Sequence, residues 1–296
     1  MKQIIFDSDL AAIHGYLCSD GYVQRLKETG RTYYRIGLRN TNMNLLSDFQ
    51  SRFKKVFKQT PTISKRIDRC SISNKEAHTY LLKEFGSFHS YEWTAPKKFN
   101  NKTEISLWLG AFFDAEGTVK STKAKDRSIS MECVNKKGIR EIQKMLFENF
   151  KIVSKIFPRK NRSTEVLYIF GKENIIKFQK EIGFLHEKKS LKLDDAVNSY
   201  ITYEWIFPDK KSELKKFVIQ KMREKSKMGK YGCVRFCSNK RENLLKLADG
   251  LSEFFRIEAR VSNERFNGIG TKFFELNINK KSEVGKVISN GLIISN

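Results

Sequence analysis

Apolar residues recur along this chain with two alternating periods. Between residues 43 and 57 they fall three and four apart, at Leu45, Leu46, Phe49, Phe53 and Phe57, which predicts one buried helix face. Upstream, Gly21–Lys27 and Tyr33–Asn40 alternate about a turn at Glu28-Thr29-Gly30 and predict a hairpin. A second strand pair, Thr62–Arg69 and Cys70–Ser73, leads into a helix at Lys75–Phe85. With a leading helix the order is helix, two strands, helix, two strands, helix. The same order recurs at Leu107–Glu116, Thr118–Lys123, Ser128–Asn135, Lys137–Asn149, Lys155–Pro158, Val166–Phe170 and Glu173–Ile182. Asn40 and Asn135 end equivalent strands. A third, partial copy runs through a helix near Ser212–Lys227, strand Tyr231–Asn239, helix Arg241–Phe255, strands Ala259–Ser262 and Phe273–Asn279, and helix Ser282–Ile288. Its first strand is missing from the pattern, and Asn243-Leu244-Leu245 echoes Asn44-Leu45-Leu46.

Each of the first two copies opens on a similar run, Ile13-His14-Gly15-Tyr16-Leu17-Cys18-Ser19-Asp20-Gly21 and Leu109-Gly110-Ala111-Phe112-Phe113-Asp114-Ala115-Glu116-Gly117. Small residues four apart, Gly15 with Ser19 and Ala111 with Ala115, give each helix a flat stripe on which another backbone can pack. Paired through those stripes, the helices bring Asp20 and Glu116 together at one end, where Gly21 and Gly117 release the chain. Two like charges at helix C-termini are disfavoured by each other and by the macrodipole, so a divalent cation is the natural compensator. The third copy has neither stripe nor acid before glycine, so it is expected to bind rather than cut.

At these residues the chain resembles the LAGLIDADG homing endonucleases in their single-chain form. The resemblance covers roughly residues 8–200. It implies an α+β fold of two pseudo-symmetric αββαββα repeats with saddle-shaped antiparallel sheets, plus the third related repeat without the motif. The expected organisation is 1–98 and 99–202 for the two repeats, 203–210 for a linker containing Pro208, and 211–296 for a basic nucleic-acid-binding module. The resemblance also implies that Asp20 and Glu116, with the adjoining Gly21 and Gly117, hold Mg²⁺, with Mn²⁺ as a substitute. Cys18 departs from the pattern and is left to packing. Asn40 and Asn135 stand where the family places a polar, water-positioning residue. Basic residues after each repeat's last helix, Lys97 or Lys98 and Lys188 or Lys189, match its phosphate-stabilising lysine.

Charge agrees with a polyanionic partner. The 296 residues carry 57 lysines and arginines against 33 acids, a net charge of +24, and residues 206–296 hold 20 of the bases against 10 acids. No long apolar run or lipid-facing basic helix points to a membrane, which leaves nucleic acid, bound in a salt-dependent way. Double-stranded DNA is the expected partner of a monomer with internal two-fold symmetry, and RNA the alternative. Met1–Asp7 is too short an apolar stretch for a signal peptide, so the expected location is intracellular, in cytoplasm, nucleoid or organelle. The lack of a splicing nucleophile before the first motif favours an intron-encoded or free-standing protein. Five scattered cysteines, 18, 70, 133, 233 and 237, read as reduced buried thiols, and Cys233 and Cys237 as strand neighbours sharing a face. His14 reads as a packing residue.

Each four-stranded sheet would bury one face and expose the other to the major groove. Alternation selects Gln24, Tyr33, Arg35, Arg39, Lys65, Arg66 and Arg69 in the first repeat. In the second it selects Lys120, Ser128, Ser130, Glu132, Arg159 and Arg162. The chain offers no serine or cysteine nucleophile beside a base, so metal-bound water is the expected nucleophile. The function expected is site-specific, Mg-dependent cleavage of both strands at a long, imperfectly palindromic site. An RNA-splicing maturase and a non-cleaving DNA-binding regulator are the alternatives.

Overall fold

The computed structural model describes residues 4–121, 127–199, 205–229, 232–266 and 272–293, with the side chains of Lys65 and Lys225 outside the description. The chain divides into two compact units, 1–200 and 201–296.

The first unit holds two αββαββα repeats around one core. The first repeat runs α1 (Ser8–Cys18), β1 (Gly21–Glu28), β2 (Arg31–Arg39), α2 (Met43–Phe57), β3 (Thr62–Ser64), β4 (Arg69–Ser73) and α3 (Lys75–Phe85). The second runs α4 (Lys102–Glu116), β5 (Gly117–Ser121), β6 (Arg127–Cys133), α5 (Lys136–Phe150), β7 (Ser154–Pro158), β8 (Glu165–Ile169) and α6 (Lys172–Glu181), followed by α7 (Glu187–Asn198), which the apolar pattern did not reveal. The sheets are antiparallel, ordered β1-β2-β4-β3 and β5-β6-β8-β7. A 3-10 turn at Lys65–Ile67 interrupts the strand expected over Thr62–Arg69. The alternation used to select Lys65 and Arg66 therefore fails there.

The second unit repeats the plan: α8 (Lys211–Lys225), β9 (Lys227–Met228), β10 (Val234–Ser238), α9 (Arg241–Phe255), β11 (Arg260–Val261), β12 (Arg265–Phe266), β13 (Lys272–Ile278) and α10 (Lys281–Ser289). The strand order β11-β13-β10-β9 matches the other sheets, so the strand absent from the pattern exists as the two-residue β9. Strand residues 231 and 122–123, expected from the pattern, and residues 203–204 of the expected linker lie outside the described residues. Trp205, in the same expected linker, packs its ring on Phe217 and Phe236 of this unit.

Three fifteen-residue helices show how close the repetition is. Buried positions Leu45, Leu46, Phe49 and Phe53 of α2 correspond to Gly138, Ile139, Ile142 and Leu146 of α5 and to Asn243, Leu244, Leu247 and Leu251 of α9. The Asn-Leu-Leu echo is thus one residue out of structural register. Each helix closes on a basic residue in the left-handed region, Lys58, Lys151 and Arg256, whose N–H returns to the last turn.

In the first unit α1 and α4 pack against each other. A Cβ on Gly15 would lie 2.5 Å from the Trp108 carbonyl oxygen and 3.1 Å from the Ala111 Cβ, so the small-residue stripe sets the approach. His14, wholly buried beside Phe85 and Phe88, accepts a 2.8 Å hydrogen bond from Trp108 Nε1. Burial pushes its imidazole down to about 3, so it stays neutral and acts as a cross-helix acceptor. Gly21 and Gly117 leave their helices without positive φ. Glycine is needed there for room: a Cβ would lie 2.5 Å from Leu17 Cα in the first case and 2.4 Å from the Phe113 oxygen in the second. All five cysteines are free, and Cys237, expected to be buried, is exposed because its parity turns it to the open face of its sheet.

Candidate nuclease centre and nucleic-acid face

Asp20 follows the end of α1 and Glu116 ends α4, each directly before the first strand of its sheet. Burial raises the Asp20 carboxyl above its ordinary range against the pull of Asn40 and Lys189. Burial and the neighbouring Asp20 push Glu116 up to about 7, with Lys189 again opposing. The packed helices therefore bring two partly buried acids within electrostatic reach of each other and of one lysine.

Asn40 Nδ2 donates to Asp20 Oδ2 at 2.8 Å, while its Oδ1 accepts from the Asn42 N–H. Asn135 is different. It is the N-cap of α5, accepts from the Gly138 N–H at 2.9 Å, and donates at 2.6 Å to the Trp93 carbonyl. It is buried in structural duty, and its counterpart is the α2 cap Asn42. Strand register explains the displacement: Leu38 lies opposite Gly21 as Met131 lies opposite Gly117, so two residues on, Asn40 corresponds to Cys133. Burial pushes the Cys133 thiol up to about 11, and Glu116 contributes to the rise. Asn40→Ala is expected to leave melting nearly unchanged while slowing any cleavage. Asn135→Ala is expected to lose about 1–3 kcal/mol, through the cap and the stranded Trp93 carbonyl, a contrast that thermal melts read directly.

Of the four lysines, only Lys189 joins the centre. Its Nζ donates to the carbonyl oxygens of Asp114 at 2.6 Å, Ala115 at 3.1 Å and Phe113 at 3.4 Å, closing the last turn of α4. Lys97, Lys98 and Lys188 are exposed, and no described hydrogen bond or ion pair links them to either acid. Asp114, 3 % exposed, accepts the N–H groups of Leu185 and His186 at the start of α7. Cys18, its counterpart in a repeat without such a helix, packs instead on His14 at 3.4 Å.

The open sheet faces are those alternation selected, with exceptions. In the first sheet Gln24 lies opposite Arg35, and Arg39 opposite Arg69, on the face away from buried Ile36 and Leu38. Tyr33 shares it and lies 5.4 Å from the Arg35 guanidinium. Tyr22, not selected, crosses this face over Gly37, where a Cβ would meet its hydroxyl at 2.6 Å. Arg66 is exposed on its turn, and the side chain of Lys65 lies outside the description. In the second sheet Lys120, Ser128, Ser130 and Glu132 point away from buried Ile129 and Met131, but Ser128 is itself buried. Arg159 and Arg162 do not stand free. Both pair with Glu132, at 3.2 and 3.5 Å, because this one acid occupies the strand end that Arg39 holds in the first sheet. Tyr168, opposite Ser130, and Phe157 add an aromatic strip that alternation of polar residues could not signal.

The LAGLIDADG-like domain model matches residues 103–183, which span α4 to α6. Over these residues the second repeat is similar to a LAGLIDADG-like domain. Its match begins in the α4 motif helix and takes in Glu116, Cys133 and Glu132. No curated relative is similar to the chain in sequence. Among solved structures, I-DmoI in complex with DNA and Mn aligns with a TM-score of 0.46 and 20% identity over 59% of this chain and 96% of that one. Full-length DUF199/WhiA from Thermatoga maritima aligns at 0.45 and 14%, over 75% and 72%. The LAGLIDADG meganuclease I-AabMI bound to uncleaved DNA aligns at 0.43 and 16%, over 65% and 90%. Likeness this remote carries no chemistry with it. Among the described residues no helix is long and apolar enough to cross a membrane.

Proposed function

We propose that the chain is a divalent-metal-dependent endonuclease that cuts both strands of a long duplex DNA site with imperfect two-fold symmetry. The observation that carries this reading is the acid pair: Asp20 and Glu116, brought together by α1 and α4 at the start of two sheets with exposed polar faces. The LAGLIDADG-like domain over residues 103–183 supports it.

The residues present fit a hard cation. Two carboxylates that burial holds above their ordinary range, Glu116 also through its neighbour Asp20, are relieved by positive charge. No group of three or more His, Cys, Asp or Glu side chains forms a cage among the described residues. That suits Mg²⁺, or Mn²⁺ in its place, which takes few protein ligands and completes its shell with water and phosphate oxygens. Asp20 and Glu116 would hold the ion, which when bound supplies a more acidic water and neutralises charge on the leaving oxygen. Asn40 fixes the Asp20 carboxylate through its 2.8 Å hydrogen bond. Lys189 holds the end of α4 and balances the acids. Arg39 and Arg69, like charges directly opposed on adjacent strands, would be stabilised by a phosphate bound between them.

The test is cleavage of a randomised duplex library with Mg²⁺ at low salt, by the natural protein and by Asp20→Asn and Glu116→Gln. Staggered cuts that vanish in both variants while binding persists are the expected result. Bound duplexes without cuts would overturn the reading in favour of a regulator, and displacement of DNA by structured RNA would turn it toward a maturase.

A further inference from the structure

The sheet of the second unit buries one face, through Val234, Phe236, Leu276 and Ile278, in a core shared with residues of α8, α9 and α10. Across its other face the strand register draws a single row. Lys227 on β9 lies opposite Arg235 on β10, Arg235 opposite Asn277 on β13, and Asn277 opposite Arg260 on β11. Lys227, Arg235 and Arg260 are exposed, and no ion pair joins them to a carboxylate among the described residues. Glu275, two residues from Asn277 on β13 and opposite Cys237, is already held by Arg265, and Glu258, two residues from Arg260, by Lys280.

Like charges set opposite each other on neighbouring strands destabilise a sheet, so the directly opposed Lys227 and Arg235 stand at a local cost that a bound polyanion would reverse. Strand spacing places its ends about 14 Å apart, roughly four 3.4 Å rises along one DNA strand. The centre that cuts has no counterpart here. Counting back from the β9 register, Lys225-Ser226 occupy the positions of Asp20-Gly21, a base in place of the acid.

We infer that the exposed face of this sheet grips the phosphate backbone of duplex DNA through Lys227, Arg235 and Arg260, adding affinity without a cutting centre. The choice of DNA over other polyanions rests on the function proposed for the first unit. Three cations in one row, with a single amide between them, hold phosphate charge and carry little base information. Because both units belong to one chain, even a weak grip raises total affinity through effective concentration.

The test uses the full chain and a labelled mixed-sequence duplex, with Ca²⁺ and a series of KCl concentrations. It compares the natural protein with Lys227→Gln/Arg235→Gln/Arg260→Gln and with a control, Lys216→Gln/Arg241→Gln/Lys281→Gln, which removes the same charge from exposed helix positions. The face variant is expected to lose on the order of a hundredfold in affinity at 0.1 M salt, and its log–log salt slope to fall by about 2.7. The control should keep most of both. Equal losses in the two variants, or none in either, would overturn the proposal, as would an RNA hairpin that displaces the duplex at lower concentration than DNA does. Binding is read without cleavage, so a chain that binds in this way but cuts nothing would overturn only the nuclease reading.

Discussion

Glu116→Gln is expected to make the protein more stable and, at the same time, inactive as a nuclease. The Glu116 carboxyl rises from its ordinary 4.5 to about 7 in the folded chain, so the native state holds a proton more tightly than the unfolded one. Stability is then largest below pH 4.5 and falls as pH rises through 7, because the folded chain must ionise a buried acid beside Asp20. At pH 8 without metal the penalty is complete, about 3 kcal/mol at 1.36 kcal/mol per pKa unit. A neutral amide removes it. Thermal melts of Glu116→Gln should exceed those of the natural protein by several degrees at pH 8 and converge with them near pH 4. Millimolar Mg²⁺ should narrow the pH 8 gap by stabilising only the natural protein. Cleavage should fall by about a thousandfold or more, as loss of roughly 4 kcal/mol of metal-borne stabilisation implies. A variant that melts below the natural protein at pH 8 would show that Glu116 is stabilised by its surroundings, and the acid pair would lose its functional meaning.

Much of this arrangement is legible in the sequence, and the failures have local causes. The α2 and α3 boundaries agree with those that apolar spacing predicts, and in the structure the side chains of Asn42 and Asn74 cap these helices. Asparagine serves both as a strand-ending polar group and as a helix cap, and Asn135 is the cap of α5. Counting back from the cap, rather than matching asparagines, would have placed Cys133 beside Glu116. The same count along α9 corrects the Asn-Leu-Leu echo. Helix α7 escaped because only Leu193 and Ala196 are buried along it, too few to show a period. The choice of Lys189 over Lys188 depends on reach to three carbonyls from another helix, which no local pattern encodes. The two halves of the centre are thereby unequal: an amide serves Asp20 and a thiol lies near Glu116.

The seam between α1 and α4 is where the fold and the centre depend on the same atoms, and two glycines separate its contribution from helix propensity. Gly15→Ala would place a methyl carbon 2.5 Å from the Trp108 carbonyl oxygen, a backbone atom that cannot turn aside. The helices must part, loosening the His14–Trp108 hydrogen bond at 2.8 Å and the alignment of the two acids. The expected loss is about 1–3 kcal/mol from overpacking, exceeding the gain of about 1 kcal/mol from replacing a helical glycine. Cleavage should fall further than stability, because a displacement on the order of 1 Å at the reacting groups can cost a hundredfold. Gly110 is the control. It lies in the second motif helix, yet the nearest atom to an added Cβ is the Ile182 oxygen at 3.8 Å, so Gly110→Ala meets only ordinary contact. It should melt higher and cut at the natural rate. If both variants melt alike, the stripe is a propensity effect and close packing does not set the distance between the acids; opposite shifts assign that distance to Gly15.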